Sequence, residues 1–187
     1  LENNMIDQNI KIEQATYKWL QDVVIALNFC PFAHKPFIEN AIKVKVDQSQ
    51  NIKELLLHLK QEVEFLDNNS NIATTLIVYP TQFIDFDNYL DWAAYAEEQL
   101  VDLGYEGIYQ LATFHPNYIF EGSSDDQASN YTNRSPYPML HLIREADVEN
   151  ASTKHPNIEK IPTTNINRAN SLGLEKMRAL FNACLNL

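Results

Sequence analysis

The sequence predicts an α/β fold: a small, mostly parallel three-stranded sheet flanked by helices, with a helical C-terminal part. Two observations predict it. Apolar residues recur at helical spacing in three stretches before residue 105, and three short runs rich in strand-forming residues alternate with those stretches. Strands alternating with helices favour parallel pairs joined by right-handed crossovers. The direction of one strand stays open at this level.

Residues 10–29 read as the first helix, with Ile12, Ala15, Trp19, Val23, Ala26 and Leu27 on one side. Pro31 stops it, because proline disfavours the helical state in the residue before it. A loop with two prolines follows at 31–40. Residues 41–46 alternate Ile42, Val44 and Val46 with Lys43 and Lys45, which predicts a half-exposed strand at or near an edge. Ile52, Leu55, Leu56, Leu59, Val63 and Leu66 make the second helical stripe. Residues 74–79 are almost wholly apolar, as in a strand covered on both faces. Asp85 is the expected N-cap of a third helix that stops at Gly104. Residues 108–114 read as the third strand.

A long loop at 115–135 comes next, with room for one helical turn. Ser135 as N-cap and Pro136 at the first position predict a helix to about Ala146. Beyond His155 and Pro156 the tail is expected to be helical in pieces, broken near Pro162 and Gly173, with residues 178–185 the last helix. Residues 10–187 are taken as one domain and 1–9 as a flexible N-terminus, with Leu1–Asn4 preceding Met5.

The chain has 187 residues, 45% of them hydrophobic, enough for a globular core. Only 4 Gly are present, with no GxGxxG or P-loop pattern. A net charge of -11 disfavours nucleic acid and anionic membranes as partners. The 2 Cys form neither a CxxC motif nor a metal-type cluster. No signal-like or membrane-length apolar run is visible, so the expected compartment is the cytoplasm.

Residues 113–145 concentrate polar groups able to grip a ligand. In open α/β sheets ligands bind beyond the carboxyl ends of the strands, where His115 would sit beside Asp47–Ser49 and Thr81–Gln82. His141 and Glu145 would share a helix face, with Arg144 close by, and could hold a divalent metal or serve as an oriented acid/base. An ordinary helix-surface pair fits the same spacing. Arg134, Arg144, Asn117, Asn130 and Asn133 are the candidate clamps for a carboxylate or phosphate. The alternative for Arg134 is a loop staple bonded to backbone carbonyls. Cys30 is a candidate nucleophile. Against it, a helix leading into the first strand ends at the amino edge of the sheet, opposite that site.

At LNFCPFA (27–33), TFHPNYIFEG (113–122) and NYTNRSPYPMLHLIRE (130–145) the chain resembles the bacterial domain-of-unknown-function family 1415. Asp126 also fits the family's loop pattern. The resemblance implies that Cys30, His115, Asn130, Asn133, Arg134, His141 and Arg144 are positions to examine, without assigning them roles.

The expected function is binding of a small polar or anionic molecule at the 115–145 loop. Hydrolase or transferase chemistry would use His115 or His141, with Glu145 as orienter. The rival is a non-catalytic interaction module in which NYTNRSPYP is a structural staple and Phe32, Phe37 and Tyr118 meet a protein partner.

Overall fold

In the computed structural model, residues 2–154 and 157–186 are described. Helix α1 spans Glu2–Trp19 and runs on into a π-helical segment, Leu20–Ile25. Then come α2 (His34–Ile38), β1 (Ile42–Val46), α3 (Ile52–Asn68), β2 (Thr74–Val78), α4 (Phe86–Asp102) and β3 (Tyr109–Phe114). A 3-10 turn at Ala128–Thr132 precedes β4 (Met139–Arg144) and α5 (Glu145–Lys154). A second such turn, Ile158–Lys160, leads into α6 (Ile161–Leu172) and α7 (Leu174–Leu185).

The sheet has four strands in the order β1-β2-β4-β3. β1 and β2 are parallel, and β4 is antiparallel to both β2 and β3. The three expected strands therefore run the same way, but a reversed fourth strand is inserted between β2 and β3. This corrects the expected three-stranded, mostly parallel sheet.

It also corrects the helix expected from Ser135. The run Met139–Arg144 is apolar on both faces of a central strand, and such a run lacks the alternation that marks a half-exposed strand. Met139 faces the core on one side of the sheet, and Leu140 and Leu142 face the core on the other. Ser135 caps no helix; its hydroxyl donates to the Tyr137 carbonyl at 2.6 Å.

Helices cover both faces. α3 and α4 pack Leu59, Val63, Trp92 and Ala96 over Ile77, Leu140 and Leu142. α1, the π-helical segment, α6 and α7 pack Trp19, Val23, Ala169 and Met177 over Val44, Leu76, Val78 and Met139. Truncating either Leu140 or Leu142, both 0% exposed, to Ala costs about 2–5 kcal/mol by the usual cavity and transfer terms.

Local sequence explains most boundaries. Asn51 and Asp85 cap α3 and α4 by accepting from the amides of Glu54 and Asn88. Gly104 ends α4 with φ +83°, a conformation costly for other residues. β1 lies at an edge, and its Lys43 folds over the Phe65 ring to reach Glu62. The first helix begins at Glu2, earlier than expected, and its regular turns end before Pro31. Pro162 lies in the first turn of α6 and starts that helix, while Gly173 separates α6 from α7. The expected break at His155 and Pro156 lies outside the described residues.

Candidate functional site

The long loop is held by its own polar side chains. His115 is fully buried. Its Nε2 lies 2.7 Å from the Phe83 carbonyl, and Nδ1 accepts from the Asn117 amide at 3.0 Å. This pairing requires the neutral tautomer with the proton on Nε2. Burial lowers its pKa, which fits a neutral ring.

Arg134 donates from Nε to the Tyr118 carbonyl at 3.1 Å. Its terminal nitrogen reaches the Asp125 carbonyl at 3.1 Å and carboxylate at 2.6 Å. The guanidinium also stacks over Tyr131. Asn130, fully buried, accepts from the Phe120 amide and donates to the Ser124 carbonyl. Asn133 accepts from the Thr132 hydroxyl, and its carbonyl takes the His115 amide. Of the expected clamps in this loop, Asn117 alone leaves its side chain exposed.

Arg144 is also committed to the scaffold. It donates to the carbonyls of Ile72, Ala73 and Leu66 at 2.7–2.8 Å, with Asn69 at 3.5 Å. The Leu66 and Asn69 carbonyls belong to the C-terminal end of α3, where a cation is favoured by the helix dipole.

His141 and Glu145 do not share a helix face. His141 lies within β4, and Glu145 begins α5. A strand sends residues 141 and 144 to opposite faces, so Arg144 is not beside His141 either. Among the described residues, no group of three or more His, Cys, Asp or Glu side chains is arranged to hold a metal ion. No helix among them is long and apolar enough to cross a membrane.

The carboxyl edge does bring together the loops that the sequence placed there. Gln50 donates to the Thr81 hydroxyl, and Gln82 donates to the Ser49 carbonyl. Asp47, Ser49 and His58 also meet. This trio has the residue types of a hydrolase triad but not its geometry. Nδ1 of His58 faces both Asp47, at 3.0 Å, and the Ser49 hydroxyl, at 3.1 Å. That hydroxyl donates to Asp47 at 2.6 Å. A triad uses the two ring nitrogens for the two partners, so this cluster ties the β1–α3 turn.

The cavity lies elsewhere. A pocket of about 240 Å³ opens between the sheet and the segment that follows the π-helical turn. Its walls are Trp19, Leu20 and Val24 from that turn region, Ile42, Ala73 and Leu76 from the sheet side, and Val148 and Ala151 from α5. Cys30 and His141 both line it. Its floor lies toward the amino ends of β1 and β2, the edge to which the sequence assigned Cys30.

Two features of the backbone shape this pocket. The π-helical segment widens the turn carrying Leu20 and Val24; such turns are rare and recur at functional sites. The wall segment 29–39 is flanked by Asn28 and Asn40, with φ of 51° and 53°. Asparagine tolerates this left-handed conformation better than most residues.

Burial favours the neutral forms of His141 and Cys30, while Asp147 adds a carboxylate to the lining. Burial alone pulls the His141 pKa down to about 4. Its ring makes no hydrogen bond among the described residues and lies 6.3 Å from the Phe114 ring centre. Burial pushes the Cys30 thiol up, opposed by the amides of Phe32 and Ala33. Cys184 is apart from this site, fully buried on α7 and donating to the Leu180 carbonyl.

The structure thus brings Cys30 and His141 to one pocket, while His115, Arg134 and Arg144 are hydrogen-bonded to groups of the loops and sheet. It does not gather Phe32, Phe37 and Tyr118 into an exposed patch. Phe32 lines the pocket, Phe37 meets Tyr17 edge-on, and Tyr118 packs on Phe86 and Phe120. Trp19, Leu20, Val24 and Asp147 were missed as pocket residues. The FCPF block beside Cys30 was the nearest signal, since helical periodicity does not mark a π-turn.

Comparisons with curated proteins and with solved structures returned no match. A family model described as "Protein of unknown function (DUF1415)" matches residues 11–179, and the chain belongs to that family.

Proposed function

We propose that the protein binds a small, neutral, largely apolar molecule in the pocket lined by Cys30 and His141. One observation carries this reading: the His141 ring faces an apolar pocket without a hydrogen-bond partner among the described residues. The other expected site histidine and both arginines are already paired, His115 and Arg144 with backbone groups and Arg134 with two carbonyls and the Asp125 carboxylate. The residue is partly buried, and its ring has room for a partner on the pocket side. A ligand carrying one neutral hydrogen-bonding atom supplies it.

Size and charge support the same class of ligand. A dry cavity of about 150 Å³ holds benzene, so 240 Å³ suits a ring with a short chain. A depressed imidazole pKa and a raised thiol pKa suit binding better than nucleophilic attack, which needs a thiolate or a competent base. The polar or anionic ligand expected at the 115–145 loop has less support, because Arg134, Asn130 and Asn133 are engaged within the loop.

The test is a titration with 2-phenylethanol followed by backbone amide NMR and thermal unfolding. Binding is expected to shift the amides of 29–33, 141–143 and 147–151 and to raise the Tm. In Ala151→Phe, which fills the pocket, both responses disappear while the unliganded fold persists. Shifts confined to the 115–135 loop would reject the reading.

A further inference from the structure

The two edge strands of the sheet differ. β1 is blunted: it carries Lys43 and Lys45, and the Tyr17 hydroxyl of α1 donates to its Ile42 carbonyl at 2.9 Å. Charges and covering groups of this kind keep an edge from pairing with another strand. β3 has none of these devices. Its sequence, YQLATF, holds no charge and no proline, and it pairs with β4 over 6 consecutive residues without a bulge.

The phase of the ladder shows which groups of β3 face outward. The Glu145 amide donates to the Ile108 carbonyl at 2.9 Å. Bonded pairs alternate in an antiparallel ladder, so Gln110 and Ala112 exchange bonds with Ile143 and His141. Leu111 and Thr113 therefore turn their N–H and C=O groups away from β4, and none of these is bonded among the described residues. This free row is short and closed at both ends. Before it the Tyr109 amide is bonded to the Tyr105 carbonyl, and after it the His115 amide to the Asn133 carbonyl.

We propose that this edge is an interface between two copies of the chain, paired antiparallel through β3 about a two-fold axis at Ala112. In that register each copy's Leu111 meets the other's Thr113, and every outward N–H and C=O of the two residues finds its complement. A longer foreign strand gains little more, because the flanking amides are already taken. Nothing in this pairing depends on a ligand in the pocket. So short a ladder makes a weak, concentration-dependent dimer rather than a permanent one. The net charge of -11 on each copy opposes it, so association strengthens as salt screens the repulsion.

The experiment measures mass by sedimentation equilibrium and amide exchange by NMR on the full chain, from micromolar to near-millimolar protein. The mass is expected to rise toward that of two chains. Over the same range, exchange of the Leu111 and Thr113 amides is expected to slow about tenfold, while Gln110 and Ala112 stay protected throughout. Thr113→Pro removes an outward N–H, which an edge strand tolerates, and is expected to leave a folded monomer. Ala112→Lys sets like charges across the axis and is expected to do the same. Exchange in the parent chain decides the question should either variant fail to fold.

A mass of one chain at every concentration would overturn the proposal in favour of some other occupant of the edge. So would a dimer in which Leu111 and Thr113 exchange as fast as in the monomer, or one that folded Thr113→Pro and Ala112→Lys leave intact.

Discussion

The indole N–H of Trp19 donates to the carbonyl oxygen of Arg134 at 3.0 Å. This bond ties the end of α1 to the loop between β3 and β4. The same Arg134 uses its guanidinium to hold Tyr118 and Asp125 within that loop. Trp19 also lines the apolar pocket, so the loop supports one of the pocket's walls.

Arg134 is therefore expected to act on stability. Arg134→Met leaves the Tyr118 and Asp125 carbonyls short of a donor and should cost about 2–4 kcal/mol. Arg134→Lys should recover little, because one ammonium cannot reproduce the planar fork. Urea unfolding checks both. A variant within 0.5 kcal/mol of the parent, roughly the scatter of surface substitutions, would contradict the staple role.

Asn130 should be equally intolerant. Its side chain accepts from one amide and donates to one carbonyl while fully buried. Asn130→Asp sets a buried carboxylate against the Ser124 carbonyl. The expected loss is about 2 kcal/mol or more at pH 7, smaller at pH 4 where the carboxyl protonates. Chemical denaturation at the two pH values measures the difference.

These two residues show what the sequence could and could not convey. Its polar density at 113–145 marked a place where the chain needs many hydrogen bonds. Sequence alone does not distinguish side chains that wait for a ligand from side chains that satisfy a long loop. The strands β1–β3 and helices α3 and α4 were legible because alternation, stripes and caps are local signals. β4 was not, since MLHLIR is covered on both faces and Ser135-Pro136 imitates a helix start. Cys30 and His141 were each legible as candidates. Their meeting was not, because it depends on β4 being a strand and on a π-turn.

His141 makes stability depend on pH. Its pKa is about 4 in the folded state against an ordinary 6.5. Between those values the unfolded chain takes up a proton that the folded ring refuses. Stability is thus full above pH 6.5, falls as pH drops toward 4, and levels off below it. The drop is at most about 3 kcal/mol at 1.36 kcal/mol per pKa unit. His115, also lowered by burial, adds in the same direction. His141→Leu should flatten part of this slope, and unfolding free energies at pH 7 and 4.5 for parent and variant measure that part.

Cys30 should be a sluggish nucleophile. Burial holds it as the thiol near neutral pH. Alkylation by iodoacetamide at pH 7.5, followed by intact mass, should be slower than for free cysteine and slower still with 2-phenylethanol bound. Labelling faster than free cysteine would restore the catalytic reading.

The most direct measurement of the central claim is the ¹⁵N NMR spectrum of the His141 ring, recorded from pH 4 to 8 with and without 2-phenylethanol. A ring that stays neutral down to about pH 5 and whose nitrogen shifts move on adding the alcohol is the expected result. A ring that titrates near 6.5 and ignores the alcohol would contradict an apolar ligand pocket at His141.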